Sequence, residues 1–120
     1  MKNMEMARRG ELEAEKFLVG KGYQVLERNW YHRHKEIDLI AVDGQELVIV
    51  EVKTRKAPVL DNPSLAIGRD KQRNLIYAAN AYARWNRIKM EVRFDIVWIV
   101  YRGEQAVVEH YKNAFVPGLN

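Results

Sequence analysis

Two hydrophobic periods alternate along the chain, one of about 3.6 residues and one of about two. The longer period over residues 5–21 predicts a first helix, whose core-facing stripe would be Met4, Ala7, Ala14 and Leu18. It returns over residues 70–85 and predicts a second helix with Asp70 as N-cap. The stripe of that helix would be Leu75, Ala78, Ala79, Tyr82 and Trp85.

The shorter period predicts strands. They are expected at residues 23–27, in both halves of a hairpin over 36–53 with its turn at 43–46, and at 92–101 and 106–111. A polar, aromatic loop is expected over 28–35 and an irregular, Pro- and Gly-containing loop over 54–69. The order α-β-β-β-α-β-β predicts a single α/β domain over residues 1–120, with a mixed sheet flanked by helices.

Composition excludes several classes of protein. The chain has 120 residues, is 48% hydrophobic and contains no cysteine, so disulfide frameworks, thiolate zinc sites and cysteine nucleophiles are excluded. Absence of cysteine fits a reducing cytosol, and a cytoplasmic location is expected. Residues 1–17 lack the apolar run of a signal peptide, and no stretch is apolar enough to predict a membrane span.

Charge is unevenly distributed around a net value of +4. Residues 36–52 contain five acids and no Lys or Arg, whereas residues 53–93 contain ten Lys or Arg and three acids. This arrangement indicates a cation-binding centre beside a surface that binds a polyanion, or else a solvated basic helix face. Nucleic-acid contacts are expected in the basic stretch, at Arg55, Lys56, Lys71 and Arg73.

Charged side chains interrupt the apolar hairpin, and its turn decides which of them meet. A two-residue turn at 44–45 would place Asp38 opposite Glu51, whereas a turn at 43–44 would place Glu36 opposite Glu51. Like charges in facing positions destabilise a sheet and raise each other's pKa unless a cation compensates them. Carboxylate oxygens suit a hard divalent ion such as Mg²⁺ or Mn²⁺.

Lys53 lies on the same face as Asp38 and Glu51 in either register, although a loop of odd length would separate them. Its ammonium group suits the orientation of a water or the stabilisation of phosphate charge. Helical angles place Glu11 in the first stripe and Lys71 at the start of the second, so both are candidates to turn toward the hairpin. The alternative is that each lies at a solvated helix end.

The strings EIDLIA (36–41) and VEVKTR (50–55) resemble the signature of a family of small bacterial proteins called YraN-like. That family is placed in the PD-(D/E)XK, or restriction-endonuclease-like, nuclease superfamily and is similar to archaeal Holliday junction resolvases. The likeness covers nearly the whole chain, including Gly10-Glu11, Ala14, Gly22-Tyr23, Arg28-Asn29, Lys71, Ala79, Arg93-Phe94-Asp95 and Asn113-Ala114-Phe115.

The resemblance implies a restriction-endonuclease-like sheet and a set of roles for particular residues. Asp38 and Glu51 would bind the divalent metal, Glu11 would complete its ligands, and Lys53 would be the motif lysine. The carbonyl of Val52 often contributes a ligand in that superfamily. Two positions depart from the pattern, since Ile37 stands where the superfamily has proline and Lys35 where the family has glycine.

Other polar and aromatic residues have plainer explanations. His32 and His34 fit no zinc spacing and are expected to be structural or to contact phosphate. Asp95 is expected to be a paired, partly buried acid beside Arg93. Trp30, Tyr31 and Trp85 are candidates for stacking on bases, and packing in the core or between subunits is at least as good an explanation for Trp85.

The function expected is a Mg²⁺- or Mn²⁺-dependent endonuclease that hydrolyses phosphodiester bonds in DNA, branched DNA included. Glu11, Asp38, Glu51 and Lys53 would be its catalytic residues. The alternative is a nucleic-acid-binding module that retains the fold without turnover, and a third possibility is a basic surface that meets an acidic protein. A homodimer is implied by analogy with resolvases.

Overall fold

The computed structural model describes residues 3–117, so the ends of the expected domain, residues 1–2 and 118–120, lie outside the described part. The chain order is the predicted α-β-β-β-α-β-β. Its elements are α1 (Asn3–Gly20), β1 (Gln24–His32), β2 (Lys35–Asp43), β3 (Glu46–Lys56), a 3-10 turn (Pro63–Leu65), α2 (Arg69–Trp85), β4 (Glu91–Arg102) and β5 (Gln105–Phe115).

The five strands form one mixed sheet in which spatial order follows chain order. Neighbouring strands are antiparallel except for β3 and β4, which are parallel. A parallel pair requires a crossover connection, and α2 supplies it. The predicted mixed sheet flanked by helices is therefore confirmed. No helix among the described residues is long and apolar enough to cross a membrane.

The two helices lie on opposite faces of the sheet and each closes a hydrophobic cluster. Ala14 and Leu18 of α1 pack in the cluster that contains Val48 and Val50 of β3. Leu75, Ala78, Ala79 and Tyr82 of α2 pack in the other cluster, which contains Leu47 and Ile49. Alternate residues of β3 thus serve different cores, because successive side chains of a strand point to opposite faces.

The loop expected over residues 28–35 is wrong. β1 continues to His32, pairs with Lys35, and leaves only Arg33 and His34 as the turn. Both turn residues have positive φ, 49° and 69°, as a type I′ turn requires. Such turns usually carry Asn or Gly, so Arg-His gave no sequence signal. The loop expected from residue 54 also begins later, since β3 continues to Lys56.

Both predicted helical stripes need correction at one end. In α1, Met4 and Ala7 are exposed, and the buried row continues through Met6 and Gly10 instead. In α2, Trp85 is 85% exposed because the helix ends there.

The predicted cap of α2 also needs correction. The N-cap is Gly68, and Asp70 lies in the first turn as an ion-pair partner of Arg73.

Gly10 permits the close contact between α1 and β3. A Cβ at this position would overlap the side chain of Thr54, whose branched carbon cannot move aside freely in a strand. We expect Gly10→Ala to destabilise the protein by about 1–3 kcal/mol, despite the better helix propensity of alanine. Gly20→Ala is the matched control, because nothing lies within 4 Å of its added Cβ. Chemical denaturation would contradict the prediction if both variants were equally stable.

Candidate functional site

The turn between β2 and β3 sets which charged residues meet. Asp43 pairs with Glu46 and the register continues to Leu39 and Val50, so the two-residue turn at 44–45 is correct. Gly44 has a φ of 60°, as the first central residue of a type II′ turn requires. The structure therefore has the predicted register in which Asp38 lies opposite Glu51. These two residues come directly after Leu39 and Val50, the last pair in the ladder.

Pairing between β2 and β3 ends at this point, and a side chain replaces the backbone acceptor. The Val52 N–H donates a 2.8 Å hydrogen bond to the Asp38 carboxylate. A strand N–H points along the sheet toward the neighbouring strand, so the Asp38 carboxylate lies in the gap between β2 and β3. The alternation of β2 also breaks here, since Ile37 belongs to the cluster under α2 and Leu39 to the cluster under α1.

Glu51 is 4% exposed and lies between two lysines. Its Oε2 is 3.4 Å from the Nζ atoms of both Lys53 and Lys71. These distances exceed the 2.7–2.9 Å or so of a charge-assisted hydrogen bond. Its Oε1 is buried and has no hydrogen-bond partner among the described residues. Lys71 therefore does turn toward the hairpin, which decides between the two alternatives left open by the helical pattern.

The Asp38 carboxyl group is electrostatically unfavourable in its charged form. Burial raises its pKa to about 8, and the negative charge of Glu51 adds to the increase. The hydrogen bond from Val52 opposes this rise, and the charges of Glu11 and Glu36 add smaller contributions in the same direction as Glu51. The charges of three neighbouring carboxylates thus act on Asp38 at the end of the β2–β3 ladder.

Glu11 approaches this group from α1, where it is half-buried. Asn29 Nδ2 donates hydrogen bonds to Glu11 Oε1 at 3.0 Å and to Glu36 Oε2 at 2.9 Å. Asn29 adopts a positive φ of 48° between the residues of β1 that pair with Ile37 and Leu39. Sequence reasoning did not select Asn29 as a site residue, and the only signal for it was its place in the family resemblance.

The carboxylate oxygens of these residues suit a hard divalent cation, although no three of the side chains are already arranged as its ligands. A buried carboxylate oxygen without a partner and a carboxyl pKa of about 8 both indicate a deficit of positive charge. Across residues 3–117, no three Asp, Glu or His side chains converge as a ready metal-binding group. Asp38 and Glu51 are the suitable pair, and Glu11 is engaged with Asn29.

The other residues that are expected to contact nucleic acid differ in whether they already pair with an acid of the protein. Arg55 pairs with Asp61 at 3.0 Å and stacks over Trp98, and Arg73 pairs with Asp70. Lys56 is exposed at the end of β3.

A second buried ionic group lies beyond the hairpin turn. Arg93 donates to both carboxylate oxygens of Asp95, at 2.9 and 3.0 Å, and His110 Nε2 lies 2.7 Å from Asp95. Burial alone would raise the pKa of Asp95, but the hydrogen bonds from His110, Arg93 and the Asn113 N–H outweigh it and lower that pKa. Asp95 is therefore paired with Arg93 as the sequence predicts, and it is fully rather than partly buried.

Comparison with known proteins identifies relatives over almost the full length. A family model described as "Uncharacterised protein family UPF0102" matches residues 10–99. A "UPF0102 protein" of Parabacteroides distasonis is 43% identical over 111 residues, which cover 92% of each chain. A namesake in Phocaeicola vulgatus is 39% identical, covering 94% of this chain and 93% of its own, and one in Chlorobium chlorochromatii is 42% identical, covering 92% and 91%.

Removing the Asp38 charge should stabilise the metal-free protein. Between about pH 4 and 8 the unfolded chain releases the Asp38 proton while the folded chain retains it, so folding weakens as pH rises. Asp38→Asn keeps an acceptor for Val52 without that penalty. We expect it to raise the free energy of unfolding at pH 8 in EDTA by about 2 kcal/mol or more, and much less at pH 4. Urea denaturation at both pH values measures this, and destabilisation at pH 8 would contradict it.

Proposed function

The chain belongs to the UPF0102 family, and we propose that it is a metal-dependent endonuclease of the PD-(D/E)XK superfamily that hydrolyses phosphodiester bonds in DNA, including branched DNA. One observation carries the proposal. Two buried carboxylates and two lysines meet where β2 and β3 separate, and one buried carboxylate oxygen there lacks a partner. A structural ion pair would leave neither an orphaned oxygen nor a carboxyl group with a strongly raised pKa.

Asp38 and Glu51 would hold Mg²⁺ or Mn²⁺, with Glu11 as a third ligand if Asn29 releases it. When bound, such an ion lowers the pKa of a water and offsets charge on a phosphoryl oxygen. The protein contributes two fixed carboxylates in a gap that opens at the end of the sheet ladder. The Val52 hydrogen bond orients the Asp38 carboxylate through its Oδ2 atom.

Lys53 and Lys71 lie on different secondary-structure elements and would have different roles. Lys53 lies on β3, two residues beyond Glu51, so the strand fixes its position relative to that carboxylate. It would orient the attacking water or stabilise the charge that develops on the phosphate during in-line displacement. Lys71 lies in the first turn of α2 and is more exposed, which suits contact with a neighbouring phosphate.

The wider surface would hold the nucleic-acid backbone through the basic residues of 53–93. Lys56 and Arg73 are the exposed candidates, and Arg55 would exchange Asp61 for a phosphate. Action as a homodimer, in which two symmetry-related centres meet two strands, and a cytoplasmic location are parts of the same proposal.

A non-catalytic nucleic-acid-binding module is the second candidate, and the contacts of Glu11 favour it. Its carboxylate is held by Asn29 rather than gathered with Asp38 and Glu51. In that case the acids would be retained for structure, and DNA would bind equally well with and without a divalent ion. DNA binding that survives in EDTA and in Asp38→Asn, without cleavage by the wild type, would identify the module.

Divalent ions should raise the melting temperature in a pH-dependent manner. A metal ion must displace the Asp38 proton, so the increase with Mn²⁺ or Mg²⁺ is expected to be larger at pH 8.5 than at pH 6. Asp38→Asn and Glu51→Gln should abolish it. Glu13→Gln is the matched control, because Glu13 also lies on α1 but its charge acts on Arg9 and Tyr101 rather than on Asp38. Equal shifts in all variants, or none in the wild type, would contradict a metal centre.

Cleavage is tested on supercoiled plasmid and on a four-way junction with Mg²⁺ or Mn²⁺. We expect Asp38→Asn, Glu51→Gln and Lys53→Ala each to lower the rate by roughly 10²-fold or more. Lys112→Ala should retain full activity, since Lys112 is exposed on β5 and lies near Asp43 at the hairpin turn, the end of β3 opposite to Lys53 and Lys56. Residual activity that is equal in wild type and variants would indicate a contaminating nuclease and refute the catalytic proposal.

A further inference from the structure

A basic, aromatic groove lies apart from the carboxylate centre, between the β1–β2 turn and the C-terminal end of α2. Its volume is about 610 Å³. Its basic lining consists of three arginines and a histidine, Arg33, Arg84, Arg87 and His32, and none of the described residues that line it is acidic. A concave surface with one sign of charge attracts polyanions.

The arginines of this groove have no carboxylate partner in the described part of the chain. Within residues 3–117, Arg33, Arg84 and Arg87 have no ion-pair partner, whereas Arg28 and Arg93 each hold a carboxylate. Unpaired arginines also occur elsewhere on the surface, but here three of them share one concave wall. Their guanidinium groups are therefore available to an external anion.

Aromatic rings line the same groove. The Trp85 ring is 85% exposed, although burying it would be worth a few kcal/mol. The Tyr77 ring lies 5.6 Å from His32, which in turn stacks on Trp30 at 6.0 Å with an interplanar angle of 6°. Flat apolar rings beside unpaired guanidinium groups are the combination that holds bases and phosphates of single strands.

Two of the arginines occupy strained backbone positions. Arg33 has a φ of 49° and Arg87 a φ of 54°, in the left-handed region where asparagine or glycine is preferred. The positive φ of each arginine destabilises the folded backbone by about 1–2 kcal/mol, and neither arginine makes an ion pair in the described structure. The cost is understandable if the guanidinium group at that position binds a ligand.

We infer that this groove binds an unpaired stretch of nucleic acid, with a base stacked on Trp85 and phosphates held by Arg33, Arg84 and Arg87. A duplex would hide the faces of its bases, and an acidic peptide would match the charges without offering flat rings. The inference shares the nucleic-acid ligand with the proposed function but needs neither metal nor cleavage.

The groove also predicts where the unpaired segment lies relative to the carboxylate centre. Lys71 and Arg84 are 13 residues apart on one helix, about 20 Å along its axis. At about 3.4 Å per nucleotide of a stacked strand, this distance corresponds to roughly six nucleotides. The strand that reaches both sites would therefore be unpaired about six nucleotides from the phosphate at the centre.

Stacking is tested with fluorescently labelled dT12 at low salt in EDTA, on the Asp38→Asn background so that cleavage cannot interfere. We expect Trp85→Ala to weaken binding roughly 5- to 150-fold, and Trp85→Phe to recover most of the loss. Tyr111→Ala is the matched control, because this ring is exposed on β5, away from the groove. Equal binding by Trp85→Ala and Tyr111→Ala would overturn the inference.

The phosphate contacts are tested by the salt dependence of the same binding. Arg33→Asn and Arg87→Asn remove a charge while keeping a residue that tolerates positive φ, so the turns should remain intact. Each is expected to reduce the slope of log K against log salt by about 0.7, whereas Lys112→Asn, on β5 away from the groove, leaves it unchanged. Slopes that are the same in all three variants would refute the phosphate contacts.

Two further measurements separate this ligand from other occupants. An abasic oligonucleotide of equal length, or polyglutamate, should bind at least 10-fold more weakly than dT12, and equal binding would refute base stacking. Sedimentation of wild type and Trp85→Ala should give the same mass, and a dimer that dissociates in the variant would identify a subunit contact instead. Failure of cleavage or of metal binding would refute only the proposed function, since these assays are performed in EDTA.

Discussion

The hydrogen bond from the Val52 N–H to the Asp38 carboxylate determines the form of the whole site. In a continuous ladder a backbone carbonyl would accept this bond, and β2 would remain beside β3. A side-chain acceptor is longer, so the two strands separate after Leu39 and Val50. β3 keeps its place in the sheet because its other edge pairs with β4 through to Lys56. The gap that results is where the charged groups meet.

Two buried carboxylates on the same sheet have pKa values that are shifted in opposite directions. Asp95 is 1% exposed, yet its pKa is lowered, because Arg93, His110 and a backbone N–H donate to it despite the effect of burial. Asp38 is 8% exposed, and burial and the negative charge of Glu51 raise its pKa to about 8 against the opposing hydrogen bond from the Val52 N–H. One acid stabilises the fold, whereas the other remains in need of positive charge.

The surface arginines also differ in whether the protein itself supplies an oppositely charged partner. Arg28 and Arg55 hold carboxylates of the protein, so their charge is largely satisfied internally. Arg33 and Arg87 occupy left-handed turns and make no ion pair in the described chain. The carboxylate centre therefore has unsatisfied negative charge, whereas the groove at the C-terminal end of α2 has unsatisfied positive charge.

Local periodicity predicted most elements correctly, because burial on one face imposes a period of about two or 3.6 on the residues that supply it. It failed where local pattern does not determine the backbone. The turn at Arg33-His34 carries no residue typical of positive φ, so β1 was predicted too short. The buried stripe of α1 passes through Gly10, which has no apolar side chain to mark it but fits against Thr54.

The sequence by itself predicted that Asp38, Glu51 and Lys53 share one face of the hairpin, since the alternation of the pleat puts them there for either of the two-residue turns. Tertiary structure decided the rest. Lys71 reaches Glu51 because α2 crosses over that face, and Trp85 is exposed because the helix ends beyond the sheet. Glu11 binds Asn29 because β1 places that amide between α1 and β2. These contacts join residues distant in sequence, and only the packing of whole elements sets their distances.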